Sequence, residues 1–542
     1  MLQLLFAVAA GPGLTKCAEP PEMVLQESEA EAAEPPAQIL APQSPALVDA
    51  ASQGQWSAVV TWPLSAVHAH LLPTGKVLFT SEFQFGDAPR IWDPATDRIT
   101  SAPGVDYNPF CAGHAFLPDG KLLVAGGHND RSHFGLSYAS TFDPVTTTWA
   151  RIPPMNGPRW YPTTAALPTG EALVLAGETT GAGTSNPLPQ VWQPATQSWR
   201  NLLTAQAAIP YYPRAIVGPD GRVFIAGPAR LTSYLDTHGT GAWMSVAKMN
   251  FASGRTYGSA VLYDEGKILV VGGGDPPTAT AEVIDLKAAS PTWRSVAPMS
   301  VARRQLNATL LPDGTVLVTG GSSGSGFDNH ATPLFKAELW DPATEKWTTL
   351  ASASVYRGYH STALLLPNAR VLIAGGRGEV RQQIFSPPYL FRGARPAIAS
   401  APAQLSPGQS FLVGTPNAAD VAQVTLVRLG SVTHSFNQNQ RFVRLAFSPA
   451  ASGVTATAPA NNNLAPPGHY LLFLLNRNGV PSVARIVRLG SGSGPPPSPP
   501  PDPSSVATTR AVAFGDVWKY DDRGMDNGIV WLALGFDDFA WK

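Results

Sequence analysis

Ala115-Phe116-Leu117-Pro118-Asp119-Gly120-Lys121-Leu122-Leu123-Val124-Ala125-Gly126-Gly127 reads as one β-hairpin followed by a stop. Pro presets the turn, Gly supplies the positive φ, and the apolar runs on either side supply two strands. The unit recurs along the chain. Its turns are Pro73-Thr74-Gly75, Pro118-Asp119-Gly120, Pro168-Thr169-Gly170, Pro219-Asp220-Gly221, Asp264-Glu265-Gly266 and Pro312-Asp313-Gly314, with Pro367-Asn368-Ala369 as a degenerate seventh.

Successive turns lie roughly 45 to 55 residues apart, the kelch period of four strands to a blade. Seven copies predict a seven-bladed β-propeller over 51–392. A second repeated element falls late in several blades: Trp92-Asp93-Pro94-Ala95-Thr96, Phe142-Asp143-Pro144-Val145-Thr146, Trp192-Gln193-Pro194-Ala195-Thr196 and Trp340-Asp341-Pro342-Ala343-Thr344. These read as outer-strand turns whose tryptophans, with Trp149, Trp199 and Trp347, pack between blades. Gln55 to Val60 precedes the first full repeat and is expected to complete the last blade, which closes the ring and removes its exposed edges. Composition points the same way: 14% charged residues with 50 Gly and 53 Pro in 542 residues favour many short strands over long helices, hence an all-β chain.

After Gln382 to Leu390 the repeat stops, and Arg395-Pro396 opens a different composition. Alternating runs at Val424 to Leu429, Phe442 to Phe447, Val454 to Ala458 and Tyr470 to Leu475 predict a small β-sandwich over 393–489. Residues 490–505 form a Pro/Gly/Ser-rich linker, and 506–542 read as an incomplete β module, too short to bury a core alone. At the other end, 1–50 combine a signal-like segment with a tether rich in Ala, Glu and Pro. Leu2 to Ala10 is apolar but lacks a preceding Lys or Arg, and Leu14-Thr15-Lys16-Cys17 resembles a bacterial lipoprotein cleavage site with Lys16 where a small residue belongs. A secreted or cell-envelope location is expected. With 37 basic and 38 acidic residues, net charge -1, the chain carries no electrostatic footprint for nucleic acid. No stretch reaches the about 20 apolar residues of a transmembrane helix.

Four motifs hold the residues with chemistry: Phe110-Cys111-Ala112-Gly113-His114, Arg159-Trp160-Tyr161-Pro162-Thr163, Arg357-Gly358-Tyr359-His360-Ser361 and Thr433-His434-Ser435-Phe436-Asn437-Gln438-Asn439-Gln440-Arg441. Cys17 falls in the export-like segment, so no structural disulfide with Cys111 is expected and Cys111 is available for other chemistry. Alone, Cys111 would read as a small buried hydrophobe, and His360 or His434 alone as a structural histidine. Spacing changes that reading. Cys111 and Tyr161 each precede the proline of their turn by seven residues, and Tyr359 and His360 precede Pro367 by eight and seven. Three blades thus point reactive side chains at one centre near the axis. Imidazole and phenol oxygen together suit Cu(II).

In that order the motifs resemble the galactose oxidase and glyoxal oxidase family of copper radical oxidases, over about residues 55 to 490. The resemblance implies that the sandwich is immunoglobulin-like (early-set), and that a hairpin from it carries His434 up the propeller axis, with Asn437, Gln440 and Arg441 as supports. It implies one copper ion held by Tyr161, Tyr359, His360 and His434, with Tyr359 as axial ligand and base. It also implies a Cys111–Tyr161 thioether storing a second electron hole as a tyrosyl radical. A small-molecule alcohol, aldehyde or sugar would then be oxidised by O2 to aldehyde or acid plus H2O2, by a chain expected to be a monomer. Arg159 to Thr163 looks more like the glyoxal oxidase branch, and Arg214 is a candidate substrate contact at the axial mouth, against the plainer reading of a surface arginine. Two departures stand out. The tryptophan that galactose oxidase stacks over its radical has no counterpart in Ala176-Gly177-Glu178-Thr179-Thr180, and residues 1–54 read as too short and too irregular for the carbohydrate-binding module that precedes the galactose oxidase propeller. The alternative functions are a catalytically inactive kelch propeller binding glycan or protein, which gives no reason for the five residues to co-occur, and a hydrolase, for which Asp106 and Glu178 form no acid pair.

Overall fold

In the computed structural model, residues 49–129 and 134–490 are described; Cys17, the export-like segment, the linker after Gly490 and the terminal module lie outside them. Blade 2 shows why the repeat folds as it does. Gly113–Phe116 pairs antiparallel with Leu122–Ala125, then come Ala139–Asp143 and Thr148–Ile152. The first two strands are buried at every residue, which their apolar runs require, while the outermost is mainly solvated. In the turn, Leu117 N–H donates to Lys121 O at 2.8 Å and Gly120 sits at φ 90°. The degenerate turn adopts the same form with Ala369 at φ 63°, and the Tyr389 hydroxyl donates to Ala369 O at 2.6 Å.

Seven such sheets form the propeller, each with its first strand innermost. The last blade is completed from the start of the ring: Gln55 pairs with Ser386, Trp56 with Phe385 and Val60 with Gln382, the closure expected from sequence. The tryptophans do pack between blades, and they also bond across them. Nε1–H of Trp149, Trp199 and Trp347 donates to Pro103 O, Pro153 O and Ala297 O of the preceding blade at 2.9, 2.7 and 2.8 Å. Trp56 does the same to Ala351 O at 2.8 Å across the closing seam.

The sandwich sets a five-stranded sheet, in order Gln404–Leu405, Arg485–Leu489, Gly468–Asn476, Val421–Arg428 and Phe442–Leu445, against a three-stranded one of Ser410–Gly414, Gly453–Thr457 and Phe447–Ala450. One face of the larger sheet builds the sandwich core, while Val427, Phe442, Leu471, Phe473 and Leu475 join the propeller core. From it Ser431–Thr433 and Phe436–Asn437 project as a hairpin that pairs with the innermost strand of blade 1, Ala69 opposite Val432 and His70 opposite Ser431.

Trp347→Phe keeps the ring packing but leaves Ala297 O without its donor. Its urea midpoint is expected to fall by the equivalent of about 1 kcal/mol, and an unchanged midpoint would show that the interblade bond contributes nothing.

Candidate metal centre

The seventh residue before each hairpin turn is Ala66, Cys111, Tyr161, Tyr212, Tyr257, Gln305 and His360 in blade order. From Cys111 onward all six have positive φ, between 39° and 65°. Each is the left-handed hinge through which the chain drops into its innermost strand. Main-chain bonds link hinges of neighbouring blades: Tyr161 N–H to Cys111 O and Tyr212 N–H to Tyr161 O, both 3.0 Å, and Gln305 N–H to Tyr257 O at 2.7 Å.

Arginines in the motifs pin these hinges. Arg159 Nη1 donates to Ala176 O and Arg357 Nη1 to Gly375 O, each at 2.7 Å, at the end of the second strand of their own blades. Their carbonyls accept from the Gly-Gly stop of the blade before, Gly127 N–H at 3.1 Å and Gly321 N–H at 2.6 Å. In other blades the matching arginines are paired, Arg255 with Glu282 and Arg303 with Glu338. Arg159 is instead held by Asn156 Oδ1 and main-chain carbonyls, and burial pushes its guanidinium down to about 9.

The five residues singled out by sequence are all buried and come together at the axis. Tyr161 and Tyr359 touch through their hydroxyls. The His434 ring lies 4.6 Å from both Tyr161 and His360, and Tyr359 stacks on His360 at 3.9 Å. Cys111 Sγ is 3.9 Å from His434 Nε2.

Hydrogen bonds fix which nitrogen each histidine presents. The Thr433 hydroxyl donates to Val67 O at 3.1 Å, so at 2.5 Å it accepts from His434 Nδ1–H, leaving the Nε2 lone pair facing the centre. Burial, then the neighbouring His360 and His68, hold His434 well below the usual histidine range, so it is neutral. His360 Nδ1 faces Glu82 Oε1 at 3.5 Å, and its Nε2 is buried with no protein partner. Burial alone would raise the Glu82 carboxyl; the bonds from His360 and from Gly378 N–H hold it below its ordinary value.

His434 and Ser435 turn the hairpin with φ 47° and 68°, the paired positive values of a two-residue β-turn. The side chains that follow plug the ring. Gln438 Oε1 accepts from His114 N–H and Thr164 N–H at 3.1 and 3.0 Å, and Gln440 spans Leu310 N–H and Ala308 O at 3.0 and 2.8 Å. Asn437 Oδ1 gathers the hairpin's own N–H groups.

Around the centre stands an aromatic wall that sequence reading missed. Trp160 lies flat on Tyr161, 3.9 Å between centroids and 12° between planes, and its Nε1–H donates to His128 Nδ1 at 3.2 Å. An indole therefore covers Tyr161 from the adjacent residue rather than from Ala176 to Thr180; the positive φ at Tyr161 folds neighbouring side chains together. Its signal was present in the quoted motif. Phe83 and Phe110 pack on His128, and Phe327 packs on Tyr359. Glu82 was also missed, although it stands where blades 2, 3, 5, 6 and 7 have the second stop glycine.

Arg214 is no surface residue: it is 3% exposed. Its Nη2 donates to Arg255 O and Gly258 O at 2.6 Å, while Nη1 has no partner. With Tyr161, Tyr211, Tyr257, His434 and Phe436 it lines a cavity of about 40 Å³.

Among the described residues no three His, Cys, Asp or Glu side chains converge as metal ligands, so a metal here would need the phenol oxygens. Two imidazole nitrogens and two phenol oxygens at one buried point fit Cu(II). No helix among the described residues is long and apolar enough to cross a membrane.

Comparison with known proteins gives three family matches: "Galactose oxidase-like, Early set domain" at 395–489, "Glyoxal oxidase N-terminus" at 275–386 and "Kelch motif" at 115–156. A galactose oxidase of Gibberella zeae is 27% identical over 489 residues, covering 80% of this chain and 70% of that one. An aldehyde oxidase GLOX of Vitis pseudoreticulata is 30% identical over 443 residues, covering 70% and 82%. A solved fungal alcohol oxidase of the AA5 family, in complex with copper, superposes with TM-score 0.75 at 26% identity, covering 81% of this chain and 100% of that one.

Glu82→Ala removes the carboxylate behind His360 and should weaken copper binding by about 10- to 100-fold in a chelator competition. Glu82→Gln, which keeps an acceptor oxygen, should recover part of it. Equal affinity in wild type and Glu82→Ala would remove Glu82 from the site.

Proposed function

This chain belongs to the galactose oxidase and glyoxal oxidase family, and on that premise we propose that it is a copper radical oxidase converting a primary alcohol or small aldehyde with O2 to aldehyde or acid and H2O2. The observation that carries the reading is the convergence of Tyr161, Tyr359, His360 and His434, with His434 Nε2 turned to the centre and His360 Nε2 buried without a partner. These four would hold one copper ion, which when bound supplies a Lewis acid for the substrate oxygen and one of two one-electron stores.

Tyr161 is the other store. A Cys111 sulfur joined to its ring would lower the energy of the one-electron hole, and the flat Trp160 indole gives that hole a polarisable neighbour and excludes water. Tyr359 Oη takes the substrate hydroxyl proton. A free phenol has a pKa near ~10, so this role requires the charge of the bound metal beside it. Among the residues lining the cavity Arg214 alone carries a guanidinium, which would meet a second substrate oxygen. Each turnover takes two electrons and two protons from the alcohol, or from the hydrate that a small aldehyde forms with one water, and O2 leaves with both pairs as H2O2. The propeller 51–392 and sandwich 393–489 act as one unit, in a monomer exported to the cell envelope or beyond. For location the support is the apolar Leu2 to Ala10 stretch, and fractionation of cells expressing the full chain tests it.

Copper-loaded protein should release peroxide on some member of a panel of primary alcohols and aldehydes, and Arg214→Leu should raise KM more for substrates bearing a vicinal oxygen than for simple alcohols. Silence across the panel at one copper per chain would favour a binding module. A chain ended at Gly490 should retain oxidase activity, whereas one ended at Arg392 loses His434 and should be inactive even if the blades fold. Activity in the shorter chain would exclude His434 as a ligand.

A further inference from the structure

At Tyr161, Tyr212 and Gln305 the hinge N–H is bonded to the carbonyl of the hinge one blade earlier. Cys111 is bonded differently. Its N–H donates to His68 Nε2 at 3.0 Å, while the carbonyl of Ala66, the equivalent residue of blade 1, is turned to the Thr362 hydroxyl at 2.9 Å. An imidazole thus replaces a main-chain rung beneath the one hinge that carries sulfur.

His68 is fully enclosed on the innermost strand of blade 1 and cannot easily turn away. His114 lies edge-on at 4.7 Å and Phe110 at 6.0 Å. His70, two residues on, is tied to the hairpin through Ser431 Oγ at 2.7 Å and makes no bond to Cys111. Because Nε2 accepts, the ring proton is on Nδ1. Cys111 itself is held at φ 62°, a conformation a side-chain-bearing residue adopts only when its surroundings enforce it.

We propose that His68 is a positioning residue for the Cys111–Tyr161 crosslink: its Nε2 locks the Cys111 hinge in the left-handed conformation that keeps Sγ within the aromatic cluster beside Tyr161. The proposal rests on the copper radical oxidase reading. In the crosslinking step a bond forms between Sγ and a Tyr161 ring carbon next to the hydroxyl-bearing one, and the S–H and ring C–H bonds break. The two electrons and two protons released pass to O2, giving H2O2.

The test uses the full chain expressed without copper, then loaded with copper in air, with the linked Cys111–Tyr161 peptide, about two hydrogens lighter than its parts, followed by mass against time. His68→Gln places an acceptor near the Nε2 position; His68→Asn is equally polar and too short to reach. His68→Gln should link within about threefold of wild type and His68→Asn at least about tenfold more slowly, while both bind one copper and His70→Gln behaves as wild type. Wild-type kinetics in His68→Asn, or equal slowing in the Gln and Asn variants, would overturn the positioning role and leave the oxidase reading intact. Absence of any link in copper-loaded wild type would overturn both. If His68→Asn does not fold, a folded His68→Gln that links more than about tenfold slowly is itself contradictory, and near-wild-type linking supports the proposal.

Discussion

Each blade from the second onward enters its innermost strand through one residue held at positive φ, and the candidate centre is assembled on those entries. For a residue with a side chain such a conformation costs on the order of 1 to 2 kcal/mol. The ring offsets it with a repeated set of bonds: hinge to hinge, arginine to strand end, stop glycine to arginine carbonyl. The consequence is positional. Cys111, Tyr161 and His360 occupy one equivalent place in three blades, so a seven-fold scaffold places unlike side chains around a single axis with little freedom to drift.

A propeller leaves a second problem at that axis, because the inner edges of its innermost strands carry polar main-chain groups facing a narrow channel. The hairpin from the sandwich answers it with amide side chains. Gln438, Asn439 and Gln440 bond to edges in blades 2, 3 and 6, and the strand Ser431–Thr433 pairs with blade 1. His434 rides on the tip of this plug. The same contacts therefore seal the channel and deliver an imidazole to the centre, and the cores of the two domains merge beneath them. A ligand bound by both domains would stabilise their association by mass action.

What could be read from sequence was whatever repeats or sits in one short motif. Pro-x-Gly turns at blade spacing gave the propeller, alternating runs gave the sandwich strands, and the distance of seven residues to each turn gathered Cys111, Tyr161 and His360 before any coordinates. The residues that escaped act through long-range contacts. Glu82 reaches His360 across 278 positions of chain and His68 reaches Cys111 across 43. Arg214 is a candidate substrate contact in the sequence, with a surface arginine as the plainer alternative, and the fold encloses it against two main-chain carbonyls. Trp160 escaped for a different reason: alternation along a strand sends adjacent side chains apart, and only the left-handed hinge at Tyr161 brings indole and phenol face to face.

Three further buried histidines, His68, His70 and His114, lie beside the centre, His68 with its ring 5.8 Å from that of His434. They are the other buried imidazoles near the centre. Electron spin-echo measurements on Cu(II)-loaded protein carrying ¹⁵N-histidine separate the cases, because each coordinated imidazole leaves a coupling from its remote nitrogen. The centre described here predicts couplings from two imidazoles, one lost in a His360 variant and the other in a His434 variant. Couplings from three imidazoles, or two that survive both substitutions, would place the metal among His68, His70 and His114 and contradict it.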